Sequence, residues 1–156
     1  DPFCARLAAL IEAPLAEMGI PYHTGETLIC MEGPAFSSRA ESNFYRSIGA
    51  GLINMSALPE AKLAREAEIC YALVCMSTDY DCWREADEDV TINMVVENLS
   101  ANAGNAQNLI ARVLPLLGKE RNCPCAEASK YAVITAEDKW PAGQRTRLKA
   151  ILPDYF

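Results

Sequence analysis

The sequence is short of basic residues: 14 Lys and Arg stand against 21 Asp and Glu, a net charge of −7 over 156 residues. A protein that neutralises nucleic-acid phosphates needs a basic face, so no nucleic-acid partner is expected. Long apolar runs are also missing. Nothing approaches the 18 or so residues of a membrane span, and the first residues do not read as a signal peptide. Internal repeats, low-complexity tracts and linkers are absent as well. What is present is 51% apolar residues, enough to bury a core in about one domain's worth of chain.

Histidine occurs once, at His23, in a polar turn that reads as surface. Cysteine occurs seven times, at Cys4, Cys30, Cys70, Cys75, Cys82, Cys123 and Cys125. An odd number cannot all pair within one chain. Zinc takes about four ligands at characteristic spacings. Cys123-Pro-Cys125 is C-x-C rather than C-x-x-C, and His23 is far from it, so no metal site is expected. Cys30, Cys70 and Cys75 lie in apolar stretches and read as buried small hydrophobes in strands. Beyond Cys30, the roles of the cysteines stay open at this level.

The apolar series Phe3, Leu7, Leu10, Ile11, Leu15 and Met18 has helical spacing, stopped by Gly19 and Pro21, with a kink possible at Pro14. Thr27 to Met31 reads as a short buried strand closed by Gly33-Pro34. Ser37 or Ser38 caps a helix through about Ile48, and Glu41 completes a capping box from Ser38. Leu52 to Met55 is a second strand. Pro59 suits the first position of a helix running to about Glu68. Ile69 to Met76 is almost wholly apolar and reads as a strand buried on both faces. Thr91 caps a long helix to Val113, with the Asp87-Glu88-Asp89 run as its solvated entry; Pro115 and Gly118 end it. A short segment follows around Ala126 to Val133, then a helix from about Pro141 to Leu152. Strands alternating with helices define an α/β domain with a mixed, largely parallel sheet flanked by helices. Three strands are few for such a sheet, which suggests part of a larger one.

In open α/β sheets, ligands bind beyond the carboxyl ends of the strands. Three segments here end a strand and turn polar at once: 32–38, 54–56 and 77–81. Each alone is explained by ordinary turn chemistry, by core packing of Phe36 and Met55, or by a solvated Asp-Tyr-Asp loop. Together they set an aromatic plate, a hydroxyl and two carboxylates at neighbouring strand ends.

The stretch Glu32-Gly33-Pro34-Ala35-Phe36-Ser37-Ser38-Arg39-Ala40-Glu41-Ser42 resembles a signature of the methylthioadenosine phosphorylases, within the trimeric purine nucleoside phosphorylase family. So do Ile53-Asn54-Met55-Ser56-Ala57-Leu58-Pro59-Glu60 and Ile69-Cys70-Tyr71 continuing into Thr78-Asp79-Tyr80-Asp81-Cys82-Trp83. The likeness runs the length of the chain and includes the Cys-Pro-Cys tail. It implies the phosphorylase fold, represented by its C-terminal part over residues 1–156. The glycine-rich turn and Arg-His pair with which the family binds phosphate have no counterpart here. An N-terminal portion is therefore expected from elsewhere, as a second polypeptide.

The resemblance assigns roles residue by residue. Phosphorolysis passes through a cation-like sugar, and the departing purine needs a proton at N7, which a buried carboxylic acid can supply. Asp79 is implied as that acid, and Asp81 as acceptor for the 6-amino group of adenine. Two carboxylates this close do not comfortably both ionise. Phe36 would stack on the base, Ser37 would bond near Asp79 and the base, Met55 would lie against the sugar, and Ser56 would donate to phosphate. Family members more often carry Thr at position 56, and the human-type enzymes carry Arg at position 35, where this chain has Ala35. Relatives acting on 6-oxopurines have Glu directly after the stacking Phe and Asn where Asp79 stands, so adenine nucleosides are favoured here. Arg39 and Glu41 read as helix-start interactions, and Trp83 as a site wall or a loop anchor.

The expected reaction converts 5′-methylthioadenosine and phosphate to adenine and 5-methylthioribose 1-phosphate, without metal or organic cofactor; phosphate is a co-substrate. The family further implies a homotrimer or dimer of trimers in the cytoplasm. The alternatives are a 6-oxopurine or methylthioinosine phosphorylase, or an inert fragment that exposes unpaired strand edges. Thermophilic members imply that Cys4 pairs with Cys75, that Cys70 pairs with one tail cysteine, and that Cys123-Pro-Cys125 is reactive; a reducing cytosol opposes this.

Overall fold

The computed structural model describes residues 2–84 and 92–156. Its first helix, α1 (Ala5–Glu17), begins at Cys4, whose sulfur accepts the Leu7 backbone N–H at 3.4 Å. Pro14 is buried within α1, and Gly19 takes φ +65° just past its end, the left-handed position glycine fills most cheaply. Strand β1 (Thr27–Cys30) leads into α2 (Arg39–Ser47), and α2 returns to β2 (Ala50–Asn54). The two strands run parallel, with Cys30 opposite Asn54, and α2 packs on β2. This is one βαβ unit, and it brings the carboxyl ends of both strands to the same edge.

The local signals at α2 are realised in full. Ser38 Oγ accepts the Glu41 N–H at 3.4 Å, and the Glu41 carboxylate accepts the Ser38 N–H at 2.7 Å. Gly49 at φ +81° closes the helix. The Ser38 backbone bond, reinforced by its hydroxyl, holds the Glu41 carboxyl below the usual carboxylate range. A depressed carboxyl stabilises the fold above its unfolded pKa, and that contribution is lost as pH falls through its folded value. Ser38→Ala removes the hydroxyl but keeps the backbone N–H, so it is expected to raise the Glu41 titration only part of the way towards an ordinary carboxyl, read by NMR, and to cost about 1 kcal/mol of stability through the lost cap. An unchanged Glu41 titration would remove the Ser38 hydroxyl as a contributor.

Helix α3 (Ala57–Glu66) starts two residues earlier than expected, so Pro59 is its third residue. The reason is Asn54, whose side-chain oxygen accepts the Ser56 and Ala57 N–H groups at 3.4 and 3.3 Å and caps the helix from β2. Ile92–Val113 forms α4, packed against α1; Thr91 and the acidic run before it lie outside the described residues. The chain continues through 3-10 turns at Leu114–Leu116, Pro124–Glu127 and Glu137–Lys139 to α5 (Ala142–Leu148), shorter at both ends than the expected Pro141 to Leu152. Among the described residues, no helix is long and apolar enough to cross a membrane.

One expected strand is not formed. Residues 69–76 carry no ladder partner among the described residues, and none of them is buried. Ile69 is 55% exposed. An apolar run becomes a strand only when a neighbour accepts its ladder bonds. Here the segment is held at points: Cys4 N–H donates to the Tyr71 carbonyl at 2.7 Å, Phe3 stacks on Tyr71 at 5.8 Å, and the Tyr71 hydroxyl donates to Glu60 at 2.8 Å. Partial desolvation, and then the Glu60 carboxylate, push the Tyr71 phenol up to about 12. Phe36, Ile92 and Ile134 are each more than 80% exposed, so much apolar surface is left uncovered, as expected for part of a larger sheet.

The cysteines also differ from expectation. All seven are free thiols. Cys30 lies in β1, but Cys70 and Cys75 lie in no strand, and all three are half-buried. The buried thiols are Cys4 and Cys125. Cys4 does not bond Cys75; it sits instead with Cys70, Cys123 and Cys125.

The tail is fastened at the end of α3. Glu68, at φ 57°, accepts the Ser129 N–H at 2.9 Å and the Tyr155 hydroxyl at 2.7 Å on one carboxylate oxygen. Its carbonyl accepts Arg121 at 2.7 Å, and buried Ser129 donates its hydroxyl to the Glu66 carbonyl at 2.9 Å.

Candidate active site

Two of the polar segments lie where β1 and β2 end, and the third reaches the first through Cys82. Past β1, the Met31 N–H donates to the Asn54 carbonyl at 2.9 Å and prolongs the pairing by one residue. The chain then turns through Gly33 and a cis Gly33-Pro34 bond. A Cβ at position 33 would collide with the Met55 methyl, so glycine here gives the Met55 side chain its place beside the turn. Ser37 Oγ donates to Met31 Sδ at 3.3 Å. Phe36 is 83% exposed, with its ring free to take a planar ligand. Ser56 stands at the N-terminus of α3, and its side chain makes no capping bond there.

The third segment reaches the first through Cys82, whose thiol donates to the Ser37 carbonyl at 3.3 Å. Asp79 accepts the Thr78 hydroxyl at 2.7 Å, and Asp81 accepts the Cys82 N–H at 2.9 Å. Trp83 anchors this loop: the Arg46 guanidinium lies 3.7 Å over its ring, and Tyr80 meets it edge-on at 6.2 Å. Arg84 in turn covers Tyr80 at 3.9 Å. The Ser37 and Asp81-Cys82 segments are thus joined directly, as are Gly33 and Met55. Asp79 is exposed, and its hydrogen bond is local. His23 is exposed, in keeping with a surface position.

Two positioning residues escaped the sequence reading. Asn98 and Asn102 of α4 donate their side-chain amides to the Thr78 and Ser77 carbonyls, each at 2.9 Å. They hold the backbone immediately before Asp79. Their signal was their spacing: two amides four residues apart share one helix face. An open cleft lined by Arg6, Ala9, Leu10, Ala13, Leu116 and Gly118 has no lining residue in common with this arrangement.

A parallel βαβ unit with an exposed aromatic ring and hydroxyls just beyond its strand ends is an arrangement in which α/β proteins hold small ligands. The model of the phosphorylase superfamily matches residues 1–115, and the chain belongs to that superfamily. It is 48% identical over 155 residues to an S-methyl-5′-thioadenosine phosphorylase of Geobacter sulfurreducens, covering 99% of this chain and 54% of the relative. Against the enzyme of the same name from Emericella nidulans it is 49% identical, covering all of this chain and 46% of that one. Among solved structures, a methylthioadenosine phosphorylase from an Antarctic soil metagenomic library superposes with a TM-score of 0.89 at 38% identity, over 98% of this chain and 55% of the other. The methylthioadenosine phosphorylase of Schistosoma mansoni in complex with adenine gives 0.71 at 27% identity, over 90% of this chain and 55% of the other. The chain spans about half the length of the relatives it matches.

Proposed function

We propose that this chain carries the base- and sugar-facing part of a methylthioadenosine phosphorylase site, and that the whole protein converts 5′-methylthioadenosine and phosphate to adenine and 5-methylthioribose 1-phosphate. The reading is supported by the contact of the Asp81-Cys82 segment with Ser37, and of the Gly33 turn with Met55, at the edge where β1 and β2 end. In this reading Phe36 stacks on the purine, and Ser37 bonds to its edge. Asp79 protonates N7 as the glycosidic bond breaks, and Asp81 accepts the 6-amino hydrogens. The unbranched Met55 side chain lies along the ribose and the methylthio group. Ser56 donates to phosphate at the positive end of the α3 dipole, a favourable place for an anion.

The remaining phosphate cradle belongs to an N-terminal portion outside these 156 residues. Cover from that portion and from substrate excludes water from Asp79, which acid catalysis in the site requires. The exposed apolar surface supports assembly, as a homotrimer or dimer of trimers. Seven free thiols fit a reducing cytoplasm. Phosphate is the co-substrate, and the mechanism calls on no organic cofactor.

Base selectivity tests the assignment. An acceptor such as Asp81 faces the 6-amino group of adenine productively, whereas a 6-oxo group brings a second acceptor against it. Sites built on such pairing reject the mismatched analogue by about 10⁴-fold. The intact protein is therefore expected to release adenine from methylthioadenosine far faster than hypoxanthine from methylthioinosine, compared by kcat/KM. Equal values would overturn the role of Asp81 and favour a 6-oxopurine enzyme.

A further inference from the structure

Four sulfurs lie together well away in sequence from one another. Cys4 caps α1, Cys70 follows α3, and Cys123 and Cys125 flank Pro124 in the tail; all four Sγ atoms fall within 4.8 Å of one another. The Cys70 and Cys123 sulfurs are 3.4 Å apart, in hydrogen-bond contact and not joined as a disulfide. Cys4 and Cys125 are 2% and 3% exposed, so the cluster is enclosed on two sides. We infer that Cys4, Cys70, Cys123 and Cys125 form a structural tetrathiolate site for one zinc ion.

The geometry fits that ion closely. Zn–S bonds of about 2.3 Å in a tetrahedron set the sulfurs about 3.8 Å apart, and the observed spread brackets that distance. Four thiolates fill the coordination sphere and leave no open position, the pattern of a structural rather than a catalytic zinc. The surroundings suit thiolates. The Leu7 N–H donates to Cys4 Sγ from the first turn of α1, where the helix dipole favours negative charge. The Cys125 backbone N–H also faces the Cys123 sulfur. Such N–H···S bonds are the outer partners that orient metal ligands. Zinc binding displaces the thiol protons: four Cys thiols and one Zn²⁺ give four zinc-bound thiolates and release four H⁺ to solvent.

The site joins three segments that otherwise share few bonds: the start of α1, the uncovered 69–76 run, and the tail. The spacing argument against zinc fails to reach it because only one ligand pair, Cys123 and Cys125, is close in sequence.

The test is metal analysis of the intact protein, purified under reducing conditions without chelator, followed by cobalt substitution. Zinc near one per chain, and a cobalt form with the intense visible bands of tetrahedral thiolate coordination, are expected. Cys123→Ser should lose both, whereas Cys30→Ser and Cys75→Ser, outside the cluster, should keep both. Cys70→Ser provides a second half-buried ligand variant should Cys123→Ser fail to fold. Overturning results are a reduced protein that takes up neither metal, cobalt spectra lacking thiolate bands, or metal retained in both ligand variants. A Cys70–Cys123 disulfide whose reduction yields no metal binding would likewise overturn the site. These readouts do not depend on phosphorolysis, so their failure leaves the proposed activity standing.

Discussion

Asp79→Asn in the intact enzyme is expected to lower kcat on methylthioadenosine by about 10²–10⁴-fold, the range for loss of a positioned general acid. An amide keeps a donor near N7 but cannot deliver a proton, so KM should move less than kcat. Folding should be unaffected: Asp79 is exposed, and the amide oxygen of Asn still accepts the Thr78 hydroxyl that Asp79 accepts at 2.7 Å. A nucleoside whose leaving group departs as a stable anion needs no such proton, and the variant should cleave it at nearly the parental rate. Equal losses on both substrates would make Asp79 a binding residue and remove the acid from the mechanism.

The second large effect concerns the tail. Glu68→Ala is expected to cost about 2–3 kcal/mol, because the Ser129 N–H, buried against the end of α3, loses its acceptor and the Tyr155 hydroxyl loses its own. For a domain of this size that is a fall of roughly 5–10 °C in Tm. Glu68→Gln should cost little, since both donors meet the same oxygen and an amide oxygen can accept both. Tyr155 provides an independent readout. The Glu68 hydrogen bond, and secondarily burial, push its phenol up to about 12. A raised phenol stabilises the fold below its unfolded pKa, and that contribution is lost as pH rises through about 12. In Glu68→Ala the ultraviolet titration of Tyr155 should return towards an ordinary tyrosine. An alanine variant of parental stability would remove Glu68 as the fastener.

Local chemistry made much of this fold legible. The Ser38–Glu41 capping box, the glycine stops and the two parallel strands depend on residues within a few positions of each other, and the sequence patterns match the structure there. Residues 69–76 were misread because apolar composition reports a wish for burial, whereas a strand also needs a partner for its backbone. The early start of α3 depends on Asn54, a cap reaching from the preceding strand. The polar strand ends were visible as segments, but their roles came from resemblance; spacing alone could not distinguish Asp79 or Asp81 from a solvated loop. Asn98 and Asn102 were hidden because they act across 20 and 25 residues. The cysteine cluster was hidden for the same reason, its members brought together only by tertiary folding.

The most direct measurement is the identity of the sugar product. The intact protein should be incubated with methylthioadenosine and phosphate, and the products separated and weighed by mass spectrometry. Adenine together with 5-methylthioribose 1-phosphate, both absent when phosphate is withheld, is the result the account predicts. Free methylthioribose, formed equally without phosphate, would mean that water is the acceptor and would contradict it.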